Sequence, residues 1–554
     1  MNLNVFRISL IAILCLLAFL LGLVIGGFRG SVDIQSAEKL IGLQFTPAKR
    51  DSMRDGLNDQ LKNYLNIRKV ALANNVPPSF RFSPLPEEFE PATERKFFVT
   101  SPAGRVNRPA HLEELAFASI GQLAELIRTR KVTSIELTQM YLARLKKYGP
   151  KLECVITLTE DLAIKQARRA DKELARGRYR GPLHGIPYAI KDLFATKGIK
   201  TTWGSVPYRD QMIDEDATVV KRLEEAGAVL VAKTTLGELA WGDVWFGGMT
   251  RNPWNLSEGS SGSSAGSAAS TAAGLVAFAI GTETWGSIVS PASRCGTTGL
   301  RPTYGRVSRA GAMTLSWSMD KVGPICRTVE DCAIVLNAIY GPDGKDAAVI
   351  DLPFNYNPSV NLKDLRIGYL KMEFDSVREN KANSDAVLTT LRSLGAKLIP
   401  IKLPAKYPVE DLSIILSAEA GAAFDELTRS GKDDQMVRQI KDSWPNVFRL
   451  SRFIPAVEYI QANRIRTLLM QEMQRIMDTI DVYVAPPFEG ENLLLTNLTG
   501  HPCVVVPDGF TKSGTPTSIT FMGRLFDEGT LLAVAKKFQD ATDFHLKHPD
   551  LERL

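Results

Sequence analysis

Two serines in a segment rich in glycine and small hydroxyl residues are the first candidates for chemistry. The segment runs from Ser257 to Thr303, and the two serines are Ser263 and Ser287. Between them the sequence predicts a helix of small residues followed by a short apolar run, 275–280. In this arrangement the hydroxyl groups of Ser263 and Ser287 are able to lie close to each other.

One formal motif in the segment points instead to Ser264. Residues 262–266 read Gly-Ser-Ser-Ala-Gly, which satisfies the G-x-S-x-G pattern of the nucleophile elbow of α/β-hydrolases. That elbow follows a buried strand, whereas residues 252–258 have the composition of a turn-rich loop. The pattern also arises by chance in a serine–glycine run. An α/β-hydrolase-like esterase with Ser264 as nucleophile is therefore the weaker alternative.

A lysine upstream of the serines is the candidate base. A serine hydroxyl is a weak nucleophile until a base takes its proton. A neutral lysine serves as that base if burial lowers its pKa, because desolvation disfavours the ammonium form. Lys191 stands at the end of a short apolar strand and is followed by Asp192. We therefore expect Lys191 as base, Ser263 as proton relay and Ser287 as nucleophile.

The turn that carries Ser287 is the candidate oxyanion hole. Its sequence is Thr284-Trp285-Gly286-Ser287, and a glycine-containing turn of this kind leaves successive backbone N–H groups pointing inward. Loss of one such donor typically lowers the rate by about 10² to 10³.

Several other kinds of site lose their usual support. The chain has 554 residues, five histidines and no HExxH, P-loop or dinucleotide-binding glycine motif, so its motifs support neither a metal site nor a phosphate or dinucleotide site. The formal net charge is only +6 and no long basic tract occurs, which argues against nucleic acid as a partner. The cysteines beyond the N-terminal stretch are scattered and indicate neither a disulfide framework nor a zinc site.

The N-terminus predicts a membrane segment. Residues 8–28 are uncharged and mostly apolar, and Arg7 and Arg29 bracket them. At about 1.5 Å per residue this run matches the roughly 30 Å of a hydrocarbon core. Its length favours an uncleaved signal anchor over a signal peptide, although Gly26 and Gly27 keep cleavage open. We expect export or anchoring in the cell envelope, on the periplasmic side, with the membrane as partner.

The remaining sequence predicts two further regions. Residues 31–110 combine helical spacing with a proline-rich stretch and form an N-terminal extension. From residue 111 onward the pattern is regular. Thr133 and Glu136 have the spacing of a capping box, and 217–233 predicts a helix, a glycine turn and a buried strand. We therefore place an α/β catalytic domain at 111–545.

Several spaced blocks resemble, in order, those of the amidase signature family. They are GIPYAIKDLF, GSSAGSAA, GTETWGSIVSPASRCGTTGLRPTYGRVSRAG, SMDKVGPICRTVEDCA, NLTGHPCVVVPDGF and GTPTSITFMGRLFDE, and the similarity covers about residues 111–542. The resemblance implies an α/β fold with a large mixed, mostly parallel central β-sheet covered by helices on both faces. It also implies hydrolysis of amides through an acyl-enzyme, without metal or organic cofactor.

The resemblance implies that three residues of this chain correspond to the family's Ser/cis-Ser/Lys catalytic triad. Lys191 matches the lysine of the strand block, and Ser287 matches the nucleophile of the glycine turn. Ser263 matches the serine whose peptide bond to the preceding glycine, here Gly262, is cis in the family. We expect Gly262, Ser264 and Asp192 to be supporting residues.

Departures from the family pattern narrow the predicted activity. Trp285 replaces a glycine and Val289 a basic residue, and this form resembles a subgroup that includes peptide amidases. Peptide C-terminal or amino-acid amides are therefore the expected substrates. One alternative is the A-type subunit of a glutamine amidotransferase, against which the apolar N-terminus argues. The other is a catalytically inactive relative that serves as a binding module, against which the intact Lys191, Ser263 and Ser287 argue.

Overall fold

The computed structural model of the protein describes residues 33–87, 89–376 and 378–553. The predicted anchor at 8–28 lies outside these residues. Across the described ranges, no helix has both the length and the apolar character needed to cross a membrane. The chain divides into two compact units, one ending at Ala73 and the other running from Asn74 to Leu554. The proline-rich stretch of the N-terminal extension thus belongs to the second unit.

The first unit contains two helices. They are α1 (Ile34–Ile41) and α2 (Pro47–Ile67). The side chains of Asp33 and Thr46 cap their N-termini by accepting backbone N–H groups, as is typical of these residue types. A salt bridge of 2.7 Å between Arg50 and Glu38 joins the two helices.

The second unit contains the remaining helices. In the described residues they are α3 (Ile120–Arg128), α4 (Ser134–Leu152), α5 (Glu160–Ala175), α6 (Thr218–Glu225), α7 (Ala265–Ala272), α8 (Val289–Cys295), α9 (Val329–Ile339), α10 (Lys371–Asp375), α11 (Lys381–Ser393), α12 (Ile414–Ala423), α13 (Asp425–Arg429), α14 (Trp444–Ser451), α15 (Ala456–Met477), α16 (Asn492–Thr499) and α17 (Glu528–Asp540). The predicted capping box is confirmed at the start of α4, where Thr133 and Glu136 cap each other's backbone N–H groups.

The strands form one large sheet and two small ones. They are β1 (Val155–Leu158), β2 (Pro187–Lys191), β3 (Val229–Thr234), β4 (Val244–Trp245), β5 (Gly248–Met249), β6 (Arg251–Asn252), β7 (Asn255–Gly259), β8 (Phe278–Glu283), β9 (Thr298–Arg301), β10 (Lys321–Cys326), β11 (Ile367–Leu370), β12 (Leu398–Ile401), β13 (Val482–Ala485), β14 (Cys503–Phe510) and β15 (Pro516–Gly523). The large sheet has the order β1-β3-β2-β8-β10-β9-β14-β15-β13-β11-β12, while β4 pairs with β5 and β6 with β7.

The central sheet is mixed, as expected, but the prediction that it is mostly parallel is wrong. Among its described strands, only the pairs β2–β3, β2–β8, β11–β12 and β11–β13 are parallel. The other neighbours run antiparallel, including β8–β10, β9–β10 and β14–β15. The physical reason is connection length. A short loop at 511–515 joins β14 to β15, and a connection that short allows only an antiparallel pair, whereas β2 reaches β3 through helix α6.

Hydrophobic cores cover both faces of the sheet. Along β2, Tyr188 and Ile190 pack into one buried cluster, and Ala189 between them packs into another. Successive side chains of a strand point to opposite faces, so the two clusters lie on opposite sides. Helices α3 and α9 contribute to the first cluster, α7 contributes to the second, and α4 contributes to both.

The parallel pair β2–β8 positions the candidate site. Ile190 of β2 is in register with Ile280 of β8, so the carboxyl ends of both strands meet at one edge of the sheet. Lys191 is the last residue of β2, and Glu283 is the last residue of β8. The serine segments lie at this same edge, because Ser264 immediately precedes α7 and Ser287 follows the end of β8.

Candidate active site

Lys191 is fully buried, and its amine is surrounded by hydroxyl groups. The Nζ atom donates hydrogen bonds to Ser263 Oγ at 2.8 Å, Thr282 Oγ1 at 2.9 Å and Ser264 Oγ at 3.2 Å. Burial lowers the pKa of Lys191 to about 7, against a smaller opposing effect of the carboxylates of Asp320 and Glu283. A substantial fraction of the amine is therefore neutral near pH 7 and able to accept a proton.

Ser263 is held in a backbone turn that admits no side chain at the preceding residue. The Gly262–Ser263 peptide bond is cis, as the family resemblance implied. A Cβ atom on Gly262 would lie 1.8 Å from the carbonyl oxygen of Gly242. The same loop supports the turn at Ser261, whose N–H donates to Asp243 Oδ2 at 2.9 Å. The loop around residues 241–250 therefore fixes the position of the Ser263 hydroxyl.

Ser287 lies in the tight turn between β8 and α8. Gly286 has φ +82°, a left-handed conformation that glycine adopts without strain. The backbone N–H of Ser264 donates to the Ser287 carbonyl at 3.1 Å, which joins the two serine segments. Among the described residues, none accepts a hydrogen bond from the N–H groups of Trp285, Gly286 or Ser287. These N–H donors are thus free to bind an oxygen atom of a ligand. The side chain of Trp285 does not face the core, since 41% of the residue's surface is exposed.

Glu283 stabilises this turn through hydrogen bonds to its backbone, a role that the sequence analysis missed. One carboxylate oxygen accepts the N–H groups of Ile288 at 2.8 Å and Val289 at 2.9 Å. The other accepts Arg301 Nη1 at 2.8 Å and Asn497 Nδ2 at 2.9 Å. Burial acts to raise the pKa of Glu283, but Arg301 and these hydrogen bonds hold that pKa at about 2. The only sequence signal is an acidic residue between two threonines at the end of an apolar strand.

Asp320 is a second carboxylate beside the turn that the sequence analysis did not single out. Thr284 Oγ1 donates to Asp320 Oδ1 at 2.6 Å. The other carboxylate oxygen accepts the N–H groups of Leu315 at 2.8 Å and Ser316 at 3.0 Å. Burial raises the pKa of Asp320, while these hydrogen bonds act in the opposite direction. The carboxylate fixes the Thr284 hydroxyl on the same strand face as Thr282.

Two of the three predicted supporting residues, Asp192 and Ser264, have different surroundings. Asp192 forms a fully buried ion pair of 2.9 Å with Lys233 and accepts the N–H of Thr202 at 2.8 Å. Ser264 is fully buried, and its hydroxyl donates to the Thr282 carbonyl at 3.1 Å. The strand before Ser264 is β7, a partly exposed strand of a two-stranded sheet. The buried strand that a nucleophile elbow requires is therefore missing at this point.

A large cavity adjoins these residues. Its volume is about 1000 Å³, and its wall includes Thr282, Thr284 and Asp320. Most of the remaining wall comes from residues between 75 and 87, the region 309–322 and helix α15. Within the described ranges, no group of three His, Cys, Asp or Glu side chains is arranged to hold a metal ion.

The chain is an enzyme of the class that hydrolyses the C–N bond of linear amides. It belongs to the amidase family, whose model matches residues 136–532. Among its relatives is the A-type subunit of the glutamyl-tRNA(Gln) amidotransferase of Carboxydothermus hydrogenoformans, which is 36% identical over 487 residues and is matched over 79% of this chain and 100% of its own length.

Solved structures give the same family and fold. The native peptide amidase from Stenotrophomonas maltophilia is 31% identical with a TM-score of 0.72, covering 79% of this chain and 99% of its own. The A-type subunit of the glutamyl-tRNA(Gln) amidotransferase of Thermotoga maritima is 27% identical with a TM-score of 0.67, covering 79% of this chain and 98% of its own. The predicted family membership is thereby confirmed.

Proposed function

We propose that this enzyme hydrolyses a carboxylic amide to the acid and ammonia or an amine, through an acyl-enzyme formed on Ser287. One observation carries the proposal: the buried amine of Lys191 lies 2.8 Å from the hydroxyl of Ser263, and burial lowers the pKa of that amine to about 7. The N–H of Ser264 connects this pair to the segment of Ser287. These residues provide a base, a relay and a nucleophile at the edge of one sheet.

The first half-reaction forms the acyl-enzyme. Neutral Lys191 takes a proton from Ser263, Ser263 takes one from Ser287, and the Ser287 oxygen bonds to the amide carbon. This requires the Ser287 side chain to turn toward Ser263, because its hydroxyl makes no hydrogen bond with the described residues. The N–H groups of the Gly286 turn hold the oxyanion. The C–N bond then breaks as the relayed proton passes from Lys191 through Ser263 to the nitrogen.

The second half-reaction releases the acid. Lys191 is again neutral and takes a proton from water through the same hydroxyl path, and the water oxygen bonds to the ester carbon. The bond between that carbon and Ser287 breaks, and the Ser287 oxygen recovers a proton. Each proton taken up by Lys191 is returned within the cycle, so the enzyme ends in its starting state.

Peptide C-terminal and amino-acid amides are the leading substrate class of the proposal. The support is the likeness to a peptide amidase structure and the replacement of a glycine by Trp285 in the turn. Trp285 is 41% exposed beside free N–H donors, so its indole is available to a bound acyl group. A carboxylic amide with a sizeable acyl part fits this arrangement.

Glutamine hydrolysis for an amidotransferase is the second candidate. It is favoured by the 36% identity to the A-type subunit of such an enzyme over its whole length. About a fifth of this chain lies beyond that match. A side-by-side comparison of glutamine with N-acetylated amino-acid amides separates the two functions, since the first proposal requires a higher kcat/KM for the amino-acid amides.

Labelling of the full chain with a fluorophosphonate probe tests the nucleophile. We expect wild type to be labelled and Ser287→Ala to be unlabelled. Ser264→Ala is the matched control, because Ser264 also contacts Lys191 but is fully buried. Labelling that survives in Ser287→Ala refutes the assignment, and labelling lost only in Ser264→Ala supports an esterase of the α/β-hydrolase kind.

A further inference from the structure

We propose that the segment Asn75–Glu87 forms the outer wall of the substrate cavity and selects amides whose acyl part continues into an apolar chain. This inference rests on the proposed function and names a narrower substrate class for the same site. The segment contributes Phe80, Phe82 and Leu85 to the cavity that reaches Thr282 and Thr284.

The segment is firmly attached to the catalytic unit. The guanidinium of Arg466 lies 3.5 Å from the ring centroid of Phe82, and the ring of Phe82 packs edge-on against Tyr304 at 5.0 Å. Just before the segment, Asn74 donates to the Thr314 carbonyl at 2.9 Å and accepts the Thr314 N–H at 2.7 Å. A wall anchored by a cation–π contact, a ring pair and two hydrogen bonds between the Asn74 side chain and the Thr314 backbone has a defined position.

The cavity has a polar floor and an apolar mouth. At its floor, next to the turn of Ser287, Thr284 is buried and Asp320 is half-buried. Phe80 and Ile460 also line it but are 66% and 58% exposed, so they lie where the cavity opens to solvent. The ring of Phe80 stands 6.4 Å from that of Tyr459 on helix α15. An amide bound at Ser287 therefore directs the remainder of its chain toward aromatic and aliphatic side chains.

Several of the charged side chains that line the cavity have protein partners. Arg309 pairs with Asp346 at 2.8 Å. Glu419 accepts the hydroxyl hydrogen bonds of Ser316, Ser318 and Tyr459. These three charges are neutralised or hydrogen-bonded within the chain, and the lining beside them includes the apolar side chains of Leu85, Met313 and Ile460. A buried charged tail would have to displace one of these contacts.

The wall lies outside the region that the family model matches. The family match begins at residue 136, well after Glu87. The segment therefore supplies side chains to the cavity from outside the matched region. Selection by its residues would distinguish this enzyme from relatives that lack an equivalent extension.

A series of N-acyl alaninamides tests the inference with the full chain. We expect kcat/KM to rise from N-acetyl to N-hexanoyl to N-decanoyl alaninamide, by about fourfold for each methylene group that the cavity buries. In Phe80→Ala the decanoyl-to-acetyl ratio of kcat/KM should fall about fivefold. Phe80→Leu, which keeps an apolar side chain, should restore part of the ratio.

Phe97→Ala is the matched control, since Phe97 follows the same segment, is 93% exposed and does not line the cavity. Its ratio should equal that of wild type. If a variant is less well folded, the apparent kcat/KM falls equally for the decanoyl and the acetyl substrate, so the decanoyl-to-acetyl ratio does not change. The inference is overturned if wild type shows no dependence on chain length or if Phe80→Ala keeps the wild-type ratio. If no alaninamide is hydrolysed at all, the proposed function fails as well, and that outcome is distinct from turnover without selectivity.

Discussion

Replacing Lys191 by methionine should abolish amide hydrolysis and change stability with a characteristic pH dependence. Methionine nearly matches the length of the lysine side chain but carries no charge. In wild type, burial lowers the pKa of Lys191 from 10.5 to about 7. The unfolded chain therefore binds more protons than the folded chain between these two pH values, and the free energy of unfolding rises with pH in this window.

The magnitude follows from the size of the pKa shift. At pH 7 the buried lysine costs the folded state about 4 kcal/mol; this cost rises to about 5 kcal/mol at lower pH and is almost gone at pH 10.5. Lys191→Met removes the cost but also removes three hydrogen bonds to hydroxyl groups, each contributing about 1 kcal/mol. The variant should thus be about 1 kcal/mol more stable than wild type at pH 7 and less stable than wild type at pH 10.5.

Urea unfolding of the two proteins at a series of pH values between these limits measures this difference. Effects of alkaline pH on other groups cancel when the variant is compared with wild type at each pH. Lys402→Met is the control, because Lys402 is exposed and lies outside the site. Its stability relative to wild type should not change with pH. A stability difference for Lys191→Met that is constant across this range would show that Lys191 is not held with a lowered pKa, and turnover by this variant would refute its role as base.

Two further predictions concern the same site. The value of kcat/KM should rise with pH below about pH 7, by about tenfold between pH 5 and 6, because only neutral Lys191 accepts a proton. A pH–rate profile in which kcat/KM does not change with pH above pH 5 on the acid side would contradict this prediction. Glu283→Gln should lower kcat by about 10- to 100-fold with little change in KM. The reason is that the glutamine NH₂ group would face either the N–H groups of Ile288 and Val289 or the guanidinium of Arg301, and two donors cannot form a hydrogen bond with each other. The same variant removes a charge that raises the pKa of Lys191, so its acid limb should move to lower pH, which a merely unstable variant would not show.

The elements that depend on nearby residues were predictable from the sequence. The capping box of Thr133 and Glu136 needs only residues three apart, and the structure has it. The strand that ends at Lys191 follows from a short apolar run, and the structure has it as β2. The order of the sequence blocks was sufficient to predict membership of the amidase family, which the match of the family model over residues 136–532 confirms. The roles of the triad residues remain a proposal.

The direction of the strands was not predictable, because it depends on pairing between distant segments. The helical connection between β2 and β3 gives a parallel pair, but the mostly parallel sheet that the family resemblance implied is wrong for the sheet as a whole. The centre of the sheet is antiparallel because β10 lies between β8 and β9 and runs opposite to both. No local periodicity contains that information.

The sequence by itself therefore determined which residue types are available for chemistry: a lysine at the end of an apolar strand and two serines in glycine-rich turns. Only the tertiary structure decided what surrounds them. Glu283 acquires its role because Arg301 comes from β9 and Asn497 from α16, far away along the chain. The pKa of Lys191 falls because packing from several elements excludes water from its amine. Burial and hydrogen bonding are properties of the folded chain, since both depend on groups that only folding brings within a few ångströms.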